Sequence, residues 1–167
     1  REKDCELVPV SNDEILLTFG TGYVHQPALR AVHGDGNTST ELVFDRVEQR
    51  RLNDNQVQTD IFLKDTYFAF GAKVSFKTYE KEDIIEQWVE YTSNEKKPVV
   101  LYDYASSCIS LYARNYYMTQ FWGNWANEMH MTESALTRGV KTVESRLGVR
   151  SNEYGHACFY LSLDKPA

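Results

Sequence analysis

The chain has 167 residues, enough for one domain that buries a substantial core. Hydrophobic residues make up 42% and aromatic residues 13%, a composition that excludes an intrinsically disordered chain. The formal net charge of −6 argues against a nucleic-acid partner, because phosphate binding relies on clustered lysine and arginine.

The two ends of the chain and its three cysteines indicate its cellular context. No apolar run reaches the roughly 18 residues that span a membrane, and no signal peptide is recognisable, so no membrane partner is expected. The chain starts at Arg1 and ends just after a strand-like run, so we expect it to be an excerpt. Cys5, Cys108 and Cys158 suit neither a disulfide framework nor a zinc site. We expect three free thiols, two of them in the core, which favours the cytoplasm.

Apolar and polar residues alternate along most of the chain with the period of two that marks strands with one solvated face. In chain order, this pattern and the turn residues predict strands at 14–19, 28–33, 40–47, 57–64, 68–77, 84–91, 99–104, 106–113, 115–122, 127–131, 141–146 and 157–163. Residues 128–136 are the best helical candidate, but threonine and serine dilute the pattern. The prediction is an all-β, antiparallel β-sandwich with little or no helix. No linker or repeat divides the chain, so we expect 1–167 to form a single domain.

The alternation also predicts which side chains face a common core. The predicted core positions are Val57, Ile61, Leu63, Phe70, Val74, Phe76, Val89 and Tyr91. On the opposite face, Asp60 and Lys73 are expected in solvent. The turn at 93–98 predicts a hairpin between the strands at 84–91 and 99–104.

No pair of carboxyl groups has the sequence context of a catalytic acid and nucleophile. Asp60 lies on the polar face of a strand and Asp65 in a turn, so both are interpreted as solvated surface. Glu82 and Asp83 are expected to close a turn, and Glu86 to lie on the wetter face of the next strand. The sequence therefore predicts no catalytic residue in this chain.

The histidines and cysteines do not predict a metal or nucleophile site either. Four histidines, at positions 25, 33, 130 and 156, lack the spacing of convergent metal ligands. His156 and Cys158 stand two apart on a predicted strand and could face one side. Cys158 lies in an apolar run, however, and an inert core thiol is the favoured interpretation.

The aromatic block from Tyr112 to Trp125 is the strongest candidate for a binding surface. Aromatic rings stack on sugars and dominate protein interfaces, and plain core packing is the alternative. Tyr116-Tyr117 and Phe121-Trp122 are adjacent on a strand and point to opposite faces, so both faces are expected to be covered. Gly123-Asn124 predicts a tight turn that carries Trp122 or Trp125 to the rim of the domain.

Four short blocks in fixed order carry a family resemblance: GDGNTSTEL at 34–42, EDIIEQW at 82–88, YY at 116–117 leading to WGNWANE at 122–128, and ESRLG at 144–148. Together they resemble the N-terminal β-sandwich region of glycoside hydrolase family 36 α-galactosidases. The resemblance implies a supersandwich-like domain that accompanies a catalytic barrel and is truncated here at both ends. It also implies retaining hydrolysis of terminal α-linked galactose by two aspartates outside this chain.

The resemblance further implies the partners and site residues of the chain. The partners are the catalytic barrel of the parent chain, an α-galactoside substrate through that parent, and further copies in a homo-oligomer; no cofactor is indicated. Trp122, Trp125, Glu153 and His156 are the candidates for positions near the substrate or an interface. Asn127 and Leu147 replace arginines of the family pattern, and Glu153-Tyr154 replaces His-Gln.

Two other functions fit the same residues. The first is a free-standing carbohydrate-binding module that uses Trp122 and Trp125 as its platform. The second is an unrelated β-sandwich interaction domain, which requires the four block matches to be chance.

Overall fold

A computed structural model of the chain describes residues 14–20, 26–109, 115–137, 139–144 and 155–164. The residues form two compact units, Arg1–Ser110 and Leu111–Ala167. The described parts contain nine strands and no helix: β1 (Leu29–Val32), β2 (Leu42–Asn53), β3 (Gln56–Asp65), β4 (Phe70–Tyr79), β5 (Ile84–Ser93), β6 (Val100–Tyr104), β7 (Tyr116–Asn124), β8 (Asn127–Ala135) and β9 (Phe159–Leu163). Every strand pairing is antiparallel. The predicted all-β, sandwich-like fold class is confirmed.

The first unit is built on a four-stranded meander in the order β2-β3-β4-β5. Short polar turns connect its strands. Asn53 accepts the backbone N–H of Asn55 through Oδ1 at 2.8 Å in the β2–β3 turn. Asp83, in the β4–β5 turn, has a φ of 53°. The second sheet of this unit pairs β1 with β6.

The predicted hairpin between the strands at 84–91 and 99–104 is wrong, because β6 pairs with β1 and not with β5. The cause is the turn between them, which leaves the meander and bonds to the end of β1. Glu95 in this turn contacts His33 through Oε1 at 2.8 Å and accepts the Gly34 N–H through Oε2 at 2.9 Å. These long-range contacts direct the chain into the second sheet.

The core of the first unit lies on one face of the meander, in the register that the alternation predicts. Ile61 pairs with Val74, and Val74 with Val89. Val74 is fully buried and packs in a cluster with Leu16, Ala28 and Ala72. The predicted common face is confirmed, although Ile61 is only half-buried, so Val74 is the better measure of the core.

Replacing Val74 with alanine should therefore lower the free energy of unfolding by about 2 kcal/mol or more, because the lost methyl groups leave a cavity. Lys73→Ala, one residue away on the opposite face, is the matched control. Lys73 contacts Glu90 at 2.6 Å in a partly exposed ion pair, which contributes at most about 1 kcal/mol. Urea unfolding of both variants checks this, and equal losses of stability would contradict the assigned facing.

Several predicted strands differ from the structure. Residues 14–19 contribute one isolated bridge, between Thr18 and Leu29. Residues 106–109 and 141–144 are not in strands, and the remainder of those two predictions lies outside the described residues. The helical candidate at 128–136 is wrong, since it lies almost entirely in β8.

The second unit is a three-stranded sheet in the order β8-β7-β9. The β7–β8 hairpin closes between Asn124 and Asn127, so Trp125 and Ala126 are its two turn residues. This corrects the predicted turn at Gly123-Asn124, both of which belong to β7. The register shifts between Trp122 and Asn124, so the glycine marks a strand irregularity, and Ala126 makes the turn with a φ of 57°.

Candidate functional site

The β7–β8 hairpin brings two large apolar side chains to the surface. Trp125 is 81% exposed and Met129 is 85% exposed. Met129 has a φ of 65°, a left-handed conformation that non-glycine residues seldom adopt. Contiguous exposed apolar patches often mark binding surfaces, and these two side chains are the candidates for one on the hairpin. We call this pair the hairpin tip.

Trp122 has a different environment from Trp125. Its ring stacks on His130 with the centroids 4.4 Å apart, and its Nε1–H donates to Thr132 Oγ1 at 2.9 Å. The side chain is half-buried and engaged with β8. Of the two tryptophans, Trp125 is therefore the one whose ring is open to a partner.

The aromatic residues of β7 occupy both faces of its sheet, as the alternation predicts. Tyr116, Tyr117, Phe121 and Trp122 are all half-buried. Phe121 meets Tyr160 of β9 edge to face, with centroids 5.6 Å apart. On β9 the exposed apolar side chains are Phe159, Tyr160, Leu161 and Leu163. The second unit thus presents apolar surface on β9 as well as at the hairpin tip.

Of the two candidates from the loop before β9, His156 lies among the described residues. Glu153 lies outside the described residues. His156 is half-buried, and its backbone N–H donates to the Phe121 carbonyl oxygen at 3.0 Å. Beside it, a Cβ added to Gly155 would lie 2.7 Å from the Glu144 carbonyl oxygen, so glycine is required by close backbone packing. These contacts fix the chain next to Trp122.

Two carboxylates that were predicted to lie in solvent, Asp60 and Asp65, are buried. Asp60 is only 4% exposed, although a solvated position was expected. Gln58 and Ser75 donate to its Oδ1 at 2.9 Å and 2.6 Å, and Arg50 lies 3.5 Å from Oδ2. Asp65 was expected in a turn but is the last residue of β3, and it too is buried. It accepts the backbone N–H groups of residues 41, 67 and 68. Both carboxylates are therefore engaged in holding the fold.

Asp60 should make stability depend on pH. Burial disfavours its ionised form, but hydrogen bonds from Gln58 and Ser75, with the charges of Arg50 and Lys73, outweigh burial and hold its pKa below the ordinary value of 3.8. Because the folded-state pKa is depressed, the stabilisation is present above pH 3.8 and is lost as pH falls through the folded-state pKa. Asp60→Asn should cost about 1–3 kcal/mol at neutral pH.

Urea unfolding of the parent and Asp60→Asn chains between neutral pH and pH 3 checks this. The difference between the two should shrink at the acid end. A difference that stays constant over this range would show that the charge of Asp60 contributes nothing.

A second polar cluster surrounds His33, which sequence reasoning treated only as a possible metal ligand. The His33 side chain is fully buried. Its Nδ1 lies 2.8 Å from Glu95 Oε1, its Nε2 lies 2.9 Å from Thr40 Oγ1, and its ring stacks on Phe68 at 3.7 Å and 6°. The signal in the sequence was a histidine ending an apolar strand just before a Gly-Asp-Gly turn.

The remaining candidates do not form a reactive centre in the part of the chain that the structure describes. Glu82, Asp83 and Glu86 are exposed, as predicted. Cys158 is also exposed, so its interpretation as a core thiol is wrong; Cys108 is half-buried, and both are free. Within the described ranges no three histidine, cysteine or acidic side chains converge as metal ligands, and no helix could cross a membrane. Cys5 lies outside those ranges.

The sequence identifies the class of domain. It matches the profile of the glycosyl hydrolase family 36 N-terminal domain over residues 6–166. The chain therefore belongs to this family. Comparison with curated proteins finds no match.

Solved structures share the fold. The α-galactosidase of Lactobacillus brevis superimposes with a TM-score of 0.78 at 22% identity, over 88% of this chain and 22% of that one. The α-galactosidase AgaA of Geobacillus stearothermophilus gives a TM-score of 0.82 at 20% identity, over 90% of this chain and 23% of that one. Variants of that enzyme were solved in complex with stachyose and with raffinose. The chain thus spans less than a quarter of the length of these enzymes.

Proposed function

We propose that the chain is the non-catalytic N-terminal domain of an α-galactosidase. In this proposal, residues 1–167 act as one truncated domain, and a barrel elsewhere in the parent protein hydrolyses terminal α-galactosides with retention. Membership of the family and the shared fold of α-galactosidases support the proposal. The two buried carboxylates among the described residues, Asp60 and Asp65, are both bonded within the domain, which fits a structural role.

We further propose that the domain shapes the rim of the active site and contributes contacts to a homo-oligomer. The observation that carries this proposal is the hairpin tip, where Trp125 and Met129 are almost fully exposed. An uncovered tryptophan is a typical interface anchor. Trp122, Glu153 and His156 are assigned to the same rim or interface, with Trp125 as the residue that meets the partner.

The reading frame that encodes the chain tests the catalytic part of the proposal. We expect it to continue into a segment several times longer than this chain, with an α/β pattern and a Lys-x-Asp strand. A stop codon directly after Ala167 would contradict the proposal and would favour the free-standing carbohydrate-binding module.

A further inference from the structure

A pocket on the first unit is a candidate ligand site, and its lining includes neither residue of the hairpin tip. It lies where the β1–β2 turn meets the turns before β4 and β6, and it has a volume of about 310 Å³. Its lining comprises Gly34, Asp35, Phe68, Glu95, Lys96 and Lys97. Binding pockets for small molecules begin at about 300 Å³, so this one suits a single small ring.

The floor of the pocket is an aromatic ring held rigidly from behind. His33 stacks on Phe68 at 3.7 Å, with the two rings only 6° from parallel. His33 is fixed in turn by its contacts with Glu95 and Thr40. Asp65 orders the turn that carries Phe68 by accepting the Phe68 N–H at 2.8 Å. His33 covers one face of the Phe68 ring, and the Phe68 side chain also lines the pocket.

The turns that form the walls approach each other closely. A Cβ added to Gly34 would lie 2.7 Å from the Lys97 Cβ and 3.3 Å from Glu95 Oε2, so only glycine fits here. Glu95 also accepts the Gly34 N–H. The walls are therefore fixed before any ligand arrives, which reduces the entropic cost of binding.

The polar groups at the rim are mixed in charge. Asp35, Lys96 and Lys97 are exposed, and no ion pair between described residues uses either lysine. The lining includes two carboxylates, Asp35 and Glu95, and two ammonium groups, Lys96 and Lys97, so the formal charges cancel. A rim of this kind offers hydrogen-bond donors and acceptors but no net field that would select an anion or a cation.

We propose that this pocket binds the ring of a neutral saccharide. One face of a pyranose is lined by C–H groups and stacks on Phe68, as apolar ligand faces do on aromatic rings. The hydroxyl groups at its edge donate to Asp35 and accept from Lys96 and Lys97. This binding function is independent of the catalytic role proposed for the parent protein and of the hairpin tip.

Titration of the ¹⁵N-labelled chain with methyl α-D-galactopyranoside, followed by NMR, tests the proposal. The amide resonances of Gly34, Phe68 and Lys97 should shift and saturate together. Phe68→Leu keeps an apolar side chain but loses the aromatic face, and should weaken binding about fivefold to tenfold. Tyr67→Leu is the matched control, because Tyr67 is the neighbouring ring, is 82% exposed and does not line the pocket.

Asp35→Ala provides a second variant that leaves the His33–Phe68 stack intact, and it should also weaken binding. The proposal is overturned if the sugar moves none of these resonances. It is equally overturned if Phe68→Leu and Asp35→Ala both bind like the Tyr67→Leu control. If inorganic phosphate moves the resonances and the sugar does not, the pocket is an anion site and the saccharide proposal is wrong.

Discussion

Replacing His33 with alanine should lower the free energy of unfolding by about 3–5 kcal/mol, the range typical for removing a large buried ring. The variant loses the stack on Phe68 and the contacts with Thr40 and Glu95. It also leaves the nearly buried Glu95 carboxylate with one fewer partner, which adds a desolvation cost. The effect is large because His33 joins the end of β1 to the turn before β6 as well as to Phe68.

Chemical denaturation followed by intrinsic fluorescence measures this change, with Tyr67→Ala as the control. Tyr67 lies beside Phe68 in the same turn, but its ring is almost fully exposed, so its loss should change stability by no more than about 0.5 kcal/mol. If the two variants unfold at the same denaturant concentration, the His33 cluster does not stabilise the fold.

Replacing Trp125 with alanine should have opposite outcomes in the isolated chain and in the parent protein. In the isolated chain, stability should change by no more than about 0.5 kcal/mol, because the ring makes few contacts there. In the parent protein, the loss of an interface anchor should cost about 2 kcal/mol or more. That corresponds to an association roughly 30-fold weaker between Trp125 and its partner surface.

Sedimentation velocity and thermal inactivation of the parent protein, with melting of the isolated chain, measure these outcomes. Trp125→Phe is the matched control, since it keeps an aromatic ring and should retain most of the contact. Unfolding of the isolated Trp125→Ala chain would assign the residue to the core. A parent variant that assembles and resists heat like the unmodified protein would show that Trp125 is not an interface anchor.

Alternation in the sequence was enough to predict the core-facing side of the central strands. Ile61, Val74 and Val89 lie side by side on the predicted face, because a period of two leaves only one way to bury them together. Trp125 could also be placed near a turn from sequence. The turn itself was misplaced because Ala126, although not a glycine, adopts the left-handed conformation.

The features that sequence reasoning missed depend on partners far away along the chain. Asp60 looked solvated because its partners Ser75 and Arg50 lie on neighbouring strands. The pairing of β6 with β1 was missed for a similar reason. It accompanies contacts of Glu95 with His33 and Gly34, which no local pattern encodes. Local periodicity predicts faces, whereas the choice of strand partners depends on such distant polar pairs.

We propose that this domain belongs to an α-galactosidase but carries none of its catalytic residues. The most direct test is to compare hydrolysis of a chromogenic α-galactoside by the pure chain and by the parent protein. We expect turnover by the parent and none above the uncatalysed rate for the chain, a difference of at least about a millionfold. Turnover by the chain that disappears when one of its own aspartates or glutamates is replaced would contradict it.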